Sequence, residues 1–294
     1  MFRWVWTAVR PVGAVQWFLW WCGALLLGSA MVHGVVFLVD GSSWLGSVSW
    51  RKPVVFGVSF GTLMWSAVWI LRNLPRRWWG SVLAVLLGVS SVVEVTVITL
   101  QRWRGVPSHF NESTEFDAGI FSIMGMSVMV VALAITGFLI WSLCEFRGSP
   151  VTRVATITGL LGLAGAGYLG RDLIAAGDAV VAATGHVPED LVFGAAGSAK
   201  LAHAIGIHGI QVLAACAILL DHGTLPVRTR LTTMLTAATG YAATFTAITA
   251  TAYAGRPWTD PPLPWAALGI LGVLLIAACL LRALPRRSPT PIPA

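Results

Sequence analysis

The chain has 294 residues, 56% of them hydrophobic and only 11% charged, with a mean hydropathy of +0.79. Soluble domains carry about 25% charged residues, so this composition excludes an ordinary soluble domain and indicates a membrane protein. A net charge of +7 does not make it a nucleic-acid binder, because the arginines gather at the ends of apolar runs and form no basic face.

A bilayer core of about 30 Å takes about 20 apolar residues per helix. By that ruler the sequence predicts eight spans, at roughly 15–39, 54–74, 80–102, 118–144, 153–176, 201–221, 230–254 and 263–283. The expected fold is all-α, a polytopic transmembrane helix bundle forming one domain over 1–287, followed by a disordered Pro-rich tail at 288–294. Arg3 and Arg10 precede a run too long for the apolar core of a signal peptide, which reads as a retained first helix. Cys22, Cys144, Cys216 and Cys279 show no metal-ligand spacing and read as buried thiols. Gly162, Ala166 and Gly170 in the fifth span, and Ala202, Gly206 and Gly209 or Ile210 in the sixth, have the small-residue spacing that lets helices approach closely.

The long connections 40–53, 103–117 and 177–200 all follow odd-numbered spans, so they share one side. The other side holds both termini and Arg3, Arg10, Arg72, Arg76, Arg77, Arg147, Arg153, Arg228, Arg230, Arg282, Arg286 and Arg287, against only Glu145 and Asp221. Lys/Arg bias sets orientation, which puts the termini in the cytoplasm and the long loops outside a cell membrane. The 15 Trp, many of them flanking apolar runs, suit headgroup-level anchors.

Polar chemistry concentrates in Gln101–Asp117 and in Glu94, which stands alone inside the third span. Ser90 or Ser91, Glu94 and Gln101 fall on one helical face. An intramembrane carboxylate costs roughly 3 kcal/mol or more to insert and reads as functional, with a structural ion pair as the rival reading. His203, Gln211 and His208 form one polar arc on the sixth span, and His33 and His109 fall at a similar outer depth. Glu94, His109, His203, His208 and Asp117 are therefore the candidate acid–base groups. Lys52, Gln101, Arg104, Asn111 and Gln211 are candidate substrate-binding groups. Lys52 and Arg104 suit an anionic headgroup or a diphosphate, or simply phospholipid phosphates. Asp117 also reads as the N-cap of the fourth span.

Metal binding is the alternative use of the same residues. His33, His109, His203 and His208 are the candidate ligands of a transition metal, and His33 with His203 or His208 the candidate axial pair of a haem b. His203 and His208 are five apart, off the spacing that lets one helix chelate. The tripeptide Asn111-Glu112-Ser113 matches a glycosylation sequon and is assigned no role, and there is no P-loop, GxSxG or HExxH.

Three stretches carry a resemblance. Trp50-Arg51-Lys52-Pro53-Val54-Val55-Phe56 resembles a W-[LR]-K-P-x-K-F motif, departing from it at Val55. Gln101-x-x-Arg104-Gly105-x-x-Ser108-His109-Phe110-Asn111 resembles Q-x-x-R-G-x-x-S-H-F-N, and Ala202-His203-x-x-Gly206-x-His208-x-x-Gln211 resembles A-H-x-x-G-x-H-x-x-Q. Together they are similar to a family of bacterial polytopic membrane proteins without an assigned activity, over roughly residues 30–220. The resemblance implies that Glu94, Gln101, Arg104, His109, Asn111, His203, His208 and Gln211 belong to one site, and it names no reaction.

The expectation is a membrane enzyme doing acid–base chemistry on a lipidic or isoprenoid-like substrate, with Glu94 as acid or base. A haem- or metal-binding redox protein and a transporter with Glu94 as proton relay are the alternatives. Membrane lipids and a small hydrophobic substrate are the expected partners, and nucleic acid is not.

Overall fold

The structure, a computed structural model, describes residues 2–186 and 195–284. Glu189, Asp190, Arg286, Arg287 and the Pro-rich tail lie outside the described residues. Among the described residues all regular secondary structure is helical: α1 (Phe2–Val9), α2 (Ala14–Asp40), α3 (Arg51–Leu71), α4 (Trp78–Trp103), α5 (Glu115–Glu145), α6 (Pro150–Thr184), α7 (Lys200–His222), α8 (Val227–Tyr253) and α9 (Leu263–Ala283). Six of these, α2, α3, α4, α5, α7 and α9, are long and apolar enough to cross a membrane, which makes this a multi-pass membrane protein. The helices α6 and α8 are as long but are diluted by glycine and threonine.

Two helices depart from the expected spans for local reasons. The helix α6 starts at a Ser149 cap whose side chain accepts from the Thr152 N–H, with Pro150 in the first turn. It then runs through Arg171 and Asp172 to Thr184, well past the expected end at 176, and stops where Gly185 adopts φ 71°. The helix α5 begins at Glu115 because Thr114, not Asp117, is its cap; the Thr114 side chain accepts from the Asp117 N–H.

Pairwise packing sets the architecture. The pairs α3–α4, α4–α5, α5–α6, α6–α7 and α7–α3 are all in contact, so five helices close into a ring. The helix α2 packs outside it on α3 and α4, and α8 on α6 and α7, with α9 laid against α8. The α6–α7 seam is the tightest kind: a Cβ on Gly206 would lie 2.9 Å from the Gly162 carbonyl oxygen and 2.8 Å from the Ala166 Cβ. That is the close approach expected from the small-residue spacing.

The helix ends sort into two groups. At the proximal end, which carries the N-terminus, α1 lies near the ends of α3 and α7: Trp4 stacks on His222 with centroids 5.7 Å apart, and Arg72 donates to the Arg10 carbonyl at 2.7 Å. At the distal end the α2–α3, α4–α5 and α6–α7 connections meet. Outward-facing Met126, Met129, Leu133 and Ile140 on α5 show the apolar surface a bilayer requires.

Candidate functional site

The distal half of α4 is built from one stripe. Gly80 faces Trp141, Leu83 faces Gly137 and Gln101 bonds Asp117, so residues 80, 83, 87, 90, 94, 97 and 101 run down the α4–α5 seam. Carrying that antiparallel register along the pair puts Glu94 opposite Met124 and Ser127. Glu94 is 1% exposed, and its Oε2 is buried with no hydrogen-bond partner among the described residues. Buried polar groups are nearly always paired, so this orphan is a departure with a cost. Between Glu94 and the distal surface lies an apolar layer of Val97, Ile98, Ile120 and Met124, with Phe56 of α3 packed on it.

Above that layer sits a saturated polar knot. Asp117, 2% exposed, accepts from Gln101 Nε2 at 2.8 Å, from the Thr114 hydroxyl at 2.7 Å and from the Arg104 guanidinium. Arg104 also donates to the Gln101 side-chain oxygen and lies over the Phe116 ring at 4.6 Å. Every strong acceptor of Asp117 is engaged, so the group expected to do acid–base work instead ties α5 to α4. Gln101 and Arg104, expected to bind substrate, are held by the same knot.

The loop from Gly105 to Thr114 covers the distal mouth of the ring. Lys52 Nζ on α3 donates to Ser108 Oγ at 3.2 Å, and Ser108 Oγ stands 2.9 Å from His109 Nδ1. The Ser108 hydroxyl accepts from Lys52 and also pairs with Nδ1. His109 is half-buried beside Phe56, Phe110 and Phe121. Burial, then the Lys52 and Lys200 cations, push its pKa down to about 3, so it is a neutral imidazole. The chain turns at Phe110 with φ 59°, rare for a residue with a side chain, and the ring seats against Gly177 of α6. Asn111 is engaged within its own loop: its oxygen accepts from the Ser113 N–H at 3.2 Å and the Ser113 hydroxyl at 2.7 Å, and its nitrogen donates to the Pro107 carbonyl at 3.3 Å.

The α7 arc is bound to its neighbours. His203 Nδ1–H donates to the Ala166 carbonyl of α6 at 2.7 Å, and His208 Nε2 lies 3.2 Å from Ser59 Oγ of α3. The Gln211 amide meets Ser66 Oγ of α3 at 3.2 Å. Since His203 reaches α6 and His208 and Gln211 reach α3, the arc between them faces the ring interior. Glu94 and this arc are on helices that do not pack on each other to any extent, with α3 their shared neighbour. Glu94, His203 and His208 thus lie on helices of one ring, with His109 in the loop at its distal end.

His33 is not part of that group. It is on α2, outside the ring, with Nδ1–H donating to the Ser29 carbonyl at 2.7 Å and Nε2 accepting from Trp103 Nε1 at 3.1 Å. Both nitrogens are engaged in hydrogen bonds, and His33 is on a helix outside the ring that carries His203 and His208. Among the described residues no three His, Cys, Asp or Glu side chains are grouped to hold a metal ion.

Sequence reasoning missed the neighbours of His33. Trp50 stacks on it with centroids 5.7 Å apart, Trp50 Nε1 donates to Asp40 at 2.8 Å, and Arg102 lies 4.0 Å over the Trp50 ring while reaching Asp40 at 3.3 Å. Trp50 opens one motif, which was the available signal, whereas Arg102 stands at an unspecified position of another, which carries none. Comparison with protein-family models, with curated proteins and with solved structures gives no match to this chain.

Proposed function

We propose that the protein is a membrane-embedded enzyme doing acid–base chemistry in the distal half of the five-helix ring, on a lipidic or isoprenoid-like substrate. One observation carries the reading: Glu94 is buried with an oxygen that bonds nothing, and it is the only acidic side chain within α4. A carboxyl group kept dry and unpaired is poised to give or take a proton, whereas Asp117 is spent on structure. His109, held neutral, and His203 or His208 across the ring are the partner bases.

A proton-relay transporter fits less well, because the α4 stripe proximal to Glu94 and Ser90 continues as Leu87, Leu83 and Gly80. For orientation, we read eight spans with both termini in the cytoplasm of a cell-membrane protein. The support is the arginine-rich proximal end. A protease-cleavable tag at the N-terminus, cut in inverted but not right-side-out vesicles, tests that part.

The catalytic reading is tested in liposomes of polar lipid extract supplemented with polyprenyl phosphates. Wild type should consume one lipid and form a product detectable by mass spectrometry, and Glu94→Gln should not. Equal turnover by the two proteins removes Glu94 from the mechanism.

A further inference from the structure

A narrow cleft lies at the distal end, between the first turn of α3 and the last turn of α4, and its polar lining is Ser47, Ser49, Lys52, Arg102 and Ser108. We propose that this cleft binds a tetrahedral oxyanion of the phosphate class, carried by a lipid headgroup or free.

Three features point to an anion. Ser49 is 1% exposed and its Oγ has no partner among the described residues. Arg102 Nε is also buried and unpartnered, although the other edge of the guanidinium reaches Asp40. Among the described residues Lys52 Nζ makes a single bond, to Ser108. Unsatisfied donors in a buried place are costly, and an oxyanion supplies acceptors to all of them at once. The cleft also meets the α3 N-terminus, whose dipole favours negative charge, although the Lys52 N–H is bonded to the Ser49 carbonyl and Pro53 has none. No carboxylate lines the cleft; Asp40, the acid nearest in the bonding network, is held by Trp50 and Arg102.

The cleft leaves no room for a resting water. An oxyanion therefore enters as the Val106–Ser108 wall moves outward, breaking the Lys52–Ser108 bond and taking its place. Trp50 and Trp103 at the same level suit a site beside lipid headgroups. The inference goes beyond the acid–base reading and does not need it, since Glu94 lies beneath the apolar layer and takes no part in the cleft.

The test is binding to the purified full chain. Radiolabelled inorganic phosphate is measured by equilibrium dialysis in detergent. Phosphatidic acid is measured by native mass spectrometry from nanodiscs of phosphatidylcholine containing it. Saturable binding of either probe is expected, and which probe binds identifies the source. Lys52→Gln should weaken it about tenfold or more, and Ser49→Ala about threefold, a change too small to unfold the chain. Glu94→Gln should bind as wild type does, so loss of turnover and loss of binding are separate results. Absence of saturable binding of both probes, or wild-type binding by both Lys52→Gln and Ser49→Ala, overturns the proposal.

Discussion

The two ends of the bundle use the same residue types to opposite effect. At the proximal end polar side chains are paired: Arg77 grips Glu145 at 3.0 and 3.1 Å, and Ser149 and Thr152 both donate to Asp221 at 2.7 Å. Arg230 closes the α7–α8 turn by donating to the Asp221 and Leu225 carbonyls. At the distal end Arg51, Arg102 and Glu94 each keep a buried atom without a partner among the described residues, and so does Ser49. On the proximal side only the hydroxyls of Ser142 and Thr156 are left so. An unpaired ionisable group costs far more than an unpaired hydroxyl, so the distal end carries cost that folding alone does not explain. The proximal end reads as a clamp, and the unpaired distal groups are the ones on which the proposed binding and chemistry rest.

The largest effect that sharpens this contrast is at Glu94. Glu94→Gln keeps the shape and removes an unpaired carboxyl group, so thermal stability should hold or rise. Turnover should fall by about two to four orders of magnitude, the usual worth of a positioned acid or base. A Glu94→Gln protein that unfolds while the lipid assay of the surviving fraction is unchanged would break the comparison, because Glu94 would then be a structural group.

Asp117→Ala should do the reverse. It removes the acceptor of Gln101, Arg104 and Thr114 together, leaving the amide nitrogen of the fully buried Gln101 without an acceptor. The melting temperature in detergent should fall by about 5 °C or more. Any loss of turnover should be recovered when the assay is run well below that temperature. Persistent inactivity in a folded Asp117→Ala protein would return Asp117 to the catalytic group.

Asp221→Ala probes the proximal clamp. Two hydroxyl hydrogen bonds between α7 and the start of α6 are lost, worth about 1–2 kcal/mol in all. Unfolding should shift by that amount with turnover and phosphate binding untouched. A catalytic loss without a stability loss would mean that the proximal end takes part in function.

Much of this was legible in the sequence, and what was not has a common cause. Long apolar runs gave the long helices in order, and the Gly162/Ala166 and Gly206 spacing marked two helices able to approach a neighbour closely, because both are properties of single segments. Glu94 was found because a carboxylate inside an apolar run needs no partner to be conspicuous. What the sequence did not show was partners. Asp117 and Arg104 look like free chemistry until Gln101 and Thr114 are seen to saturate them. His33 looks like a ligand until Trp103 and Ser29 take its nitrogens. The Asp117 pairings join the end of α4 to the start of α5 across a loop, and the Trp103–His33 bond joins segments 70 residues apart, so each depends on how the chain folds back and not on a local pattern. The long α6 was missed because Arg171 and Asp172 read as an end, whereas Tyr253 of α8 bonds Asp172 and the helix runs on to Gly185.

The smallest predicted effect is in the pH profile, and it tests the covered mouth directly. In the fold His109 has a pKa of about 3, set first by burial and then by the Lys52 and Lys200 cations. In the unfolded chain it titrates near 6.5. Below that value the unfolded chain takes up a proton that the folded chain refuses, so the fold loses stability as pH falls from about 6.5 towards 3 and gains nothing above that range. His109→Gln removes the titrating group, so its melting temperature should fall less than that of wild type between pH 7 and pH 4. Lys52→Gln takes away one of the two cations, which raises the folded pKa part of the way and ends the wild-type decline at a higher pH. Identical acid slopes in wild type and His109→Gln would show that the imidazole is open to water and that the loop does not seal the distal mouth of the ring.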